Sequence, residues 1–289
     1  MGVMILMKIS ELKEKQTLSF EVFPPKSSDK YESVVKAAGE IAELKPDFMS
    51  VTCGATGGNR ELTASVAEDI LKNHSVTPIA HLTCVSATKQ SINAQLELLK
   101  NSGIENILAL RGDLVGDAKT ADFSHANELM EEIRSFGGFC VGGACYPEGH
   151  PESECIASDI HYLKAKVDAG CEFLTTQMFF DNNIFYNFTY RLREAGITVP
   201  VIAGIMPVTN AKQIERIGSI SGTYLPMRFK SIVDRFGANP KAMAQAGIAY
   251  ATEQIIDLIA SGVKHIHVYS MNKPDVARAI SSNLSEIMR

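Results

Sequence analysis

One glutamate stands within an apolar segment near the start of the chain. Glu21 belongs to residues 18–23, which are otherwise rich in Leu, Phe and Val, and two prolines follow at 24 and 25. Proline lacks the amide hydrogen that a strand needs, so the pattern predicts a strand that ends there. The apolar neighbours of Glu21 are Phe20, Val22 and Phe23. Burial among them would raise the carboxyl pKa, and a carboxylic acid that is protonated near neutral pH can act as a general acid. The alternative is a solvent-facing Glu21 on an edge strand, or one paired with Lys26.

The elements that would position Glu21 repeat along the chain. Eight apolar runs of strand length each precede a segment with helical spacing, and no linker rich in Pro, Gly or Ser separates them. Eight such units predict an α/β protein that folds as a single (β/α)8 TIM barrel, with one domain over residues 1–289. An open doubly wound sheet is the alternative, although no Gly-x-Gly-x-x-Gly follows a strand, which argues against a Rossmann site. The predicted strands are 18–23, 48–54, 78–85, 106–113, 139–146, 173–180, 200–206 and 263–269.

Polar residues gather where these predicted strands end. In a barrel of this kind, the active site lies at the C-terminal ends of the strands. The polar residues at those ends are Glu21, Thr52, His81, Thr83, Arg111, Asp113, Tyr146, His150, Gln177, Tyr269 and Asn272. Each has a structural alternative, such as a salt bridge between Arg111 and Asp113 or a core role for His81. Their convergence on one rim predicts a functional site there.

The segment after the fifth strand offers a second group of charges. Pro151 suits the first position of a helix, predicted over 152–169. Asp159, Tyr162 and Lys166 recur at spacings of three and four, so they share one face of this helix. That face is either a solvated surface or a site for a ribose hydroxyl and a diphosphate. Two irregular segments are also predicted, a polar loop over 114–122 and an insert over 219–238.

Composition excludes several classes of protein. The net charge is −5 and no basic stripe is present, which argues against nucleic-acid binding. No apolar run reaches the ~18 residues of a membrane span, and the short apolar start of the chain lacks the features of a signal peptide. The six cysteines form no C-x-x-C pair and no zinc-like spacing, so we predict reduced thiols in a cytoplasmic protein and no metal site.

A series of motifs then resembles the bacterial methylenetetrahydrofolate reductase family, in order and over nearly the whole chain. They are Ser-Phe-Glu-Val-Phe-Pro-Pro-Lys at 19–26, Val-Thr-Cys-Gly-Ala at 51–55, His-Leu-Thr-Cys at 81–84, Leu-Arg-Gly-Asp at 110–113, Ala-Cys-Tyr-Pro-Glu-Gly-His-Pro-Glu at 144–152, Lys-Val-Asp-Ala-Gly at 166–170, Thr-Gln-Met-Phe-Phe-Asp at 176–181 and Gly-Ile-Met-Pro-Val at 204–208. The resemblance implies an FAD-containing barrel without a Rossmann domain. It also implies a homo-oligomer.

The resemblance implies a reaction in two halves at one shared site. NADH or NADPH gives a hydride to the flavin and leaves, and 5,10-methylenetetrahydrofolate then receives the hydride to give 5-methyltetrahydrofolate for methionine synthesis or one-carbon metabolism. An electron-transfer partner subunit is an alternative donor. The folate ring must open to an iminium, which requires a proton on the leaving nitrogen. The family's general acid falls on Glu21, and its aspartate beside flavin and pterin falls on Asp113.

Binding residues also carry over by motif. FAD contacts fall on Thr52, Cys53, Ala55, His81, Arg111, Gly112, Asp113, Tyr146, His150, Asp159, Tyr162 and Lys166. Substrate contacts fall on Gln177, Gln213, Tyr269 and Lys273. Four positions depart from the family pattern: Cys53 replaces a common tyrosine, Tyr162 and Ala165 replace polar helix residues, and Lys273 replaces an arginine that can pair with folate carboxylates. Two rival functions remain, a pterin-binding methyltransferase barrel without flavin and a non-catalytic subunit that holds folate or flavin.

Overall fold

Eight parallel strands close a barrel in sequence order. The computed structural model describes residues 7–12, 15–25, 27–54, 60–113, 122–214, 217 and 222–288. β1 pairs with both β2 and β8, which excludes the open doubly wound sheet and confirms the (β/α)8 TIM barrel. The strands are β1 Thr17–Val22, β2 Phe48–Val51, β3 Thr77–Thr83, β4 Asn106–Leu110, β5 Cys140–Cys145, β6 Phe173–Thr176, β7 Val201–Ile205 and β8 His265–Tyr269. The extent of the domain over the whole chain stays a prediction.

Helices surround this barrel. The helices with described bounds are α1 Tyr31–Ala42, α2 Arg60–His74, α3 Lys89–Asn101, α4 Ala126–Phe136, α5 Ile156–Asp168, α6 Asn182–Glu194, α7 Met227–Phe236, α8 Pro240–Ala260 and α9 Pro274–Asn283. Side-chain caps fix several starts: Asp181 accepts an amide hydrogen bond at α6, and Asn239 accepts two at α8. Residues 211–214 are also helical. Within the described part of the chain, we find no helix with the length and apolar character needed to cross a membrane.

Two predicted elements are wrong. The insert over 219–238 is not irregular throughout, because it contains α7, whose Phe229 stacks on Phe180 with ring centroids 4.8 Å apart. The helix after β5 begins at Ile156 and not at Glu152, and Pro151 does not start it. The His150 carbonyl accepts a hydrogen bond from the Ser153 amide at 2.9 Å, and this bond closes a turn before the helix starts.

The two faces of β1 have different surroundings. Phe20 and Val22 belong to the apolar layer between strands and helices, while Glu21 faces the barrel interior because side chains alternate along a strand. Phe23, beyond the strand, is 37% exposed. The predicted apolar neighbours therefore do not surround the Glu21 carboxyl. Its burial comes from interior side chains on β2, β3 and β8, such as Ser50, which is its partner in the β1–β2 register.

The N-terminal end of the barrel is closed by residues ahead of β1. Ile9 and Leu12 are buried against an interior apolar layer, and Asn106 ties this segment to β4. The Ile9 amide donates to Asn106 Oδ1 at 3.0 Å, and Asn106 Nδ2 donates to the Met7 carbonyl at 3.1 Å. The layer beneath consists of Phe48, Ile79, Leu108, Cys140, Phe173 and Ile202. These contacts seal the bottom of the barrel, so the space for a ligand lies at the other end.

No disulfide joins any of the six cysteines, all of which lie in the described part of the chain, and Cys155 alone among them is exposed. Burial raises the pKa of the Cys84 thiol to about 11. Burial also raises the pKa of Cys140, Cys145 and Cys171, so these four thiols stay protonated and unreactive at neutral pH. The cytoplasmic location inferred from them stays a prediction.

Candidate active site

A cavity of about 420 Å³ opens at the C-terminal ends of the strands. Twelve of the predicted site residues line it: Glu21, Thr52, Cys53, His81, Arg111, Gly112, Asp113, Tyr146, His150, Lys166, Gln177 and Tyr269. Residues far apart in sequence therefore meet, because most of them lie on or directly after strands that end at the same face of the barrel, while Lys166 reaches the cavity from α5. The volume falls in the range typical of small-molecule and cofactor sites.

Glu21 lies in the wall of this cavity and is shielded from bulk solvent. Its side chain keeps 18% of its surface accessible, and this surface faces the cavity. Desolvation raises the carboxyl pKa to about 8, despite an opposing hydrogen bond with Ser50. The group therefore carries a proton at neutral pH, as the sequence predicted, although the burying groups differ from those expected.

A chain of side chains inside the barrel supports this neutral form. His267 lies between two serines, with Nδ1 2.8 Å from Ser19 Oγ and Nε2 2.9 Å from Ser50 Oγ. Ser19 Oγ also donates to the Ile266 carbonyl at 3.0 Å. A neutral imidazole donates from one ring nitrogen and accepts at the other, so His267 joins the two hydroxyls in one hydrogen-bonded chain.

This chain reaches Glu21 through Ser50. Ser50 Oγ donates to Glu21 Oε2 at 3.5 Å, which is longer than its 2.9 Å contact with His267 Nε2. The bond to Glu21 is therefore weak, and it offsets little of the desolvation that raises the carboxyl pKa. Burial lowers the His267 pKa to about 3, so the imidazole stays neutral and places no positive charge beside Glu21.

His81 lines the cavity next to Glu21, and one of its ring nitrogens lacks a hydrogen-bond partner among the described residues. Its Nε2 lies 3.7 Å from Glu21 Oε2, too far for a hydrogen bond, and has no other partner among the described residues. Burial lowers the His81 pKa to about 4, so it is also neutral. A buried nitrogen without a partner is costly unless a ligand or water satisfies it.

Tyr269 and Gln177 define the opposite side of the cavity. The Tyr269 hydroxyl donates to the Thr176 carbonyl at 2.5 Å, which fixes its ring across the top of β7. A methyl group on Gly204 would lie 2.5 Å from the Tyr269 hydroxyl oxygen, so only glycine fits there. The Gln177 side-chain oxygen accepts the Met178 amide at 2.9 Å, which leaves the amide nitrogen available to a ligand as donor.

The β4–β5 side of the cavity is charged. Arg111 forms a bidentate ion pair with Glu152, with Nη1–Oε2 and Nη2–Oε1 distances of 2.6 and 2.7 Å. Lys166 Nζ donates to the Ala144 carbonyl at 3.0 Å. The hydrogen bond from Arg111 lowers the Glu152 pKa, so this carboxylate is ionised at neutral pH. The His150 ring packs edge-on against Tyr146, with centroids 4.7 Å apart.

Four predicted residues do not line the cavity. Asp159 is buried below the rim, where its Oδ1 accepts the Ser153 hydroxyl at 3.2 Å, while Tyr162 is 61% exposed. Gln213 and Lys273 meet at Thr209: Gln213 Oε1 accepts the Thr209 amide at 3.0 Å, and Lys273 Nζ donates to Thr209 Oγ1 at 2.7 Å. Their ligand roles stay predictions. Ala55, Lys26 and residues 114–121 of the predicted loop lie outside the described residues.

Sequence reasoning missed the interior polar residues that support Glu21. Ser19, Ser50 and His267 were hidden because the strands were taken as uniformly apolar on both faces. A period of two was available as a signal: polar residues recur at 17, 19 and 21, at 50 and 52, at 81 and 83, and at 265, 267 and 269. That alternation marks the inward face of the strands from β8 to β3. Glu152 was also overlooked as the partner of Arg111.

The fold and the cavity define a (β/α)8 barrel with a ligand site at its C-terminal face, and comparison with known proteins specifies the family. The sequence profile described as methylenetetrahydrofolate reductase matches residues 6–285. The 5,10-methylenetetrahydrofolate reductase of Pectobacterium carotovorum is 33% identical, over 96% of this chain and 92% of the relative. The chain belongs to the methylenetetrahydrofolate reductase family, whose members are oxidoreductases.

Other relatives differ in length. Methylenetetrahydrofolate reductase (NADH) 1 of Zea mays is 35% identical over 94% of this chain, which spans 49% of the maize protein. Among solved structures, a Clostridium thermocellum protein described as binding two copies of 5-methyl-5,6,7,8-tetrahydrofolic acid aligns with a TM-score of 0.73. That alignment covers 98% of this chain and 100% of the other at 15% identity, so it shows the fold alone. The family, the oxidoreductase class and the barrel predicted from the sequence are confirmed.

Proposed function

We propose that this protein reduces 5,10-methylenetetrahydrofolate to 5-methyltetrahydrofolate with FAD as cofactor and a reduced nicotinamide as donor. The observation that carries the proposal is the protonated Glu21 in the cavity wall, beside the residues predicted to bind flavin. The match to the family over residues 6–285 supports the reaction. The word NADH in the maize relative's name supports a nicotinamide donor.

The residues present fit an FAD molecule. His81 Nε2 is a buried nitrogen that lacks a partner among the described residues and borders the cavity, as a contact to a flavin ring requires. Lys166 and Arg111 supply positive charge at the same cavity for a diphosphate. The amide groups at the start of α5 add the positive end of a helix dipole nearby. Thr52, Cys53, Gly112, Tyr146 and His150 complete the predicted contacts in the cavity wall.

When bound, FAD would supply the hydride carrier between the nicotinamide and the folate. The chain itself would supply a proton and electrostatic stabilisation. Glu21 holds a proton at its carboxyl, and its transfer to the leaving nitrogen of the folate ring would open that ring to an iminium. Asp113, an exposed carboxylate at the mouth, would stabilise the positive charge of the iminium.

We place the folate over the β6–β8 side of the cavity. The Gln177 amide nitrogen offers a donor to the pterin, and Tyr269 offers an aromatic face held rigidly by Thr176. Gln213 and Lys273 lie on Thr209, after β7, where they would meet the carboxylate tail of the folate. Because Lys273 is a single cation and not an arginine fork, this contact would be less directional.

The test separates the two halves of the reaction. Purified protein is titrated with FAD and its absorbance spectrum recorded; under anaerobic conditions it then receives NADH or NADPH, followed by methylenetetrahydrofolate. We expect bleaching of the flavin band by at least one nicotinamide and its return on addition of the folate. A protein that binds folate but no flavin would favour the pterin-binding methyltransferase barrel. Flavin binding without reoxidation by folate would favour a subunit that only holds its ligands.

The donor has a further test in the same experiment. If neither nicotinamide bleaches the flavin but dithionite does, and folate then restores the band, the electrons come from a protein carrier. A homo-oligomer in solution is proposed from the family resemblance alone. Size-exclusion chromatography with multi-angle light scattering would measure the mass of the particle directly.

A further inference from the structure

Arg111, which the proposed function assigns to the cofactor diphosphate, already has an anionic partner. Both ends of its guanidinium bind the Glu152 carboxylate, at 2.6 and 2.7 Å. The Arg111 side chain is 23% exposed and that of Glu152 is 57% exposed, so the pair lies at the cavity mouth. Fork-to-fork geometry of this kind is the one that arginine also uses with phosphate.

The other cation of the cavity is differently placed. Lys166 Nζ donates to the neutral Ala144 carbonyl, so it can approach a phosphate without losing an anionic partner. Arg111 cannot, because a diphosphate beside the Glu152 carboxylate would place like charges on one guanidinium. Binding of the cofactor therefore requires either that Glu152 withdraws or that the repulsion is tolerated at a cost in affinity.

Glu152 lies where withdrawal is possible. It belongs to the turn between β5 and α5, and the helix begins only at Ile156. Its own amide donates to His150 Nδ1 at 3.1 Å, while its carboxylate has Arg111 as its hydrogen-bonding partner among the described residues. Rotation of one side chain would therefore release Arg111 without breaking a strand or a helix.

We infer that Glu152 is an internal competitor of the cofactor diphosphate, which holds Arg111 in place without cofactor and must be exchanged when FAD binds. This inference rests on the proposed function. The exchange is non-covalent: the guanidinium replaces carboxylate oxygens with phosphate oxygens, and the carboxylate turns to solvent. Glu152 thus weakens FAD retention and sets part of the release rate.

The test compares two variants with the same change in charge. Glu152→Gln removes the competing charge, and Glu154→Gln removes an exposed charge two residues away in the same turn. We expect the FAD dissociation constant to fall roughly three- to fivefold in Glu152→Gln, as expected for the loss of one partly exposed charge pair, and to change less than twofold in Glu154→Gln. ADP, which carries the diphosphate but no flavin, should show the same pattern by calorimetry.

A double-mutant cycle shows whether the effect acts through Arg111. In an Arg111→Ala background, Glu152→Gln should no longer tighten FAD binding beyond the change caused by Glu154→Gln. A merely structural role for Glu152 would give the same effect in both backgrounds and would overturn the inference. So would equal or weaker FAD binding by Glu152→Gln when the parent binds FAD. Failure of the parent itself to bind FAD would instead overturn the flavin function, and this inference with it.

Discussion

The two sides of the cavity handle polar groups in opposite ways. On the β8–β1–β2–β3 side, Glu21, His81 and His267 are buried and uncharged at neutral pH. On the β4–β5 side, Arg111 and Glu152 keep their charges and form an ion pair at the mouth. Desolvation determines the protonation states on the first side, and charge pairing determines them on the second.

This difference separates two tasks. A proton donor must keep its proton at working pH, which requires a dry and uncharged environment. A phosphate site must keep full positive charge and exchange one anion for another, which requires contact with solvent. The closed barrel offers both environments within one cavity, since strand ends near the axis are shielded and loop residues at the mouth are not.

Removal of the Glu21 proton, on the β8–β1–β2–β3 side, should have the largest effect on the reaction rate. Glu21→Gln keeps the size of the side chain but cannot donate a carboxylic proton. We expect the folate half-reaction to slow by ~100-fold or more, while flavin reduction by the nicotinamide continues. Stopped-flow absorbance of each half-reaction measures this. A normal rate of folate reduction would remove Glu21 from the role of acid.

The same variant should reveal the raised pKa as a dependence of stability on pH. Glu21 titrates near 4.5 when unfolded and near 8 when folded, so its proton stabilises the fold below pH 4.5 and this stabilisation is lost as the pH rises to 8. Relative to Glu21→Gln, the parent should lose about 2–4 kcal/mol of unfolding free energy between pH 5 and 9, one pKa unit being ~1.4 kcal/mol. Urea titrations at each pH measure the difference. If the unfolding free energies of the parent and of Glu21→Gln changed in parallel with pH, the Glu21 carboxyl would not be desolvated.

On the charged side, Lys166 should matter through the cofactor. Lys166→Ala should weaken FAD binding by about ten- to a hundredfold, as expected for a lost charge-assisted bond, with partial rescue by excess FAD. Lys164→Ala is the matched control, because Lys164 lies on the same helix but pairs with Asp168 outside the cavity. Equal dissociation constants for the Lys166 variant and the parent would place the diphosphate elsewhere.

The smallest expected effect concerns Asp113 at the boundary of the two sides. Asp113→Asn should make the flavin easier to reduce, because the reduced anionic form no longer faces a carboxylate. A rise on the order of 30 mV corresponds to tenfold in a two-electron equilibrium. The folate half-reaction should also slow. Asp168→Asn is the control for net charge, and a redox titration with an unchanged or lower potential for Asp113→Asn would contradict the role.

The sequence predicted the residues of the charged β4–β5 side better than those of the uncharged β8–β1–β2–β3 side. Arg111 and His150 stand in loops or at strand ends, where polar residues are visible against apolar runs, and Lys166 shares one face of a helix with Asp159 at a helical spacing. Glu21 was found for a partly wrong reason, since Phe20 and Val22 face the helices and the real shielding comes from β2, β3 and β8. Register between strands distant in sequence decides which residues meet inside a barrel, and no local pattern reveals it. The start of α5 was missed because hydrogen bonds to His150 close a turn before the helix.

The seal formed by Ile9 and Leu12 has a consequence for dissolved oxygen. Because the described bottom of the barrel is packed with apolar side chains, the mouth is the route by which dioxygen would reach a reduced flavin in the cavity. A folate bound in that mouth would then block the access of dioxygen, and oxidation of the reduced flavin by air would slow while the folate stays bound. With the proposed flavin bound, protection from oxygen would therefore depend on how long a ligand occupies the opening.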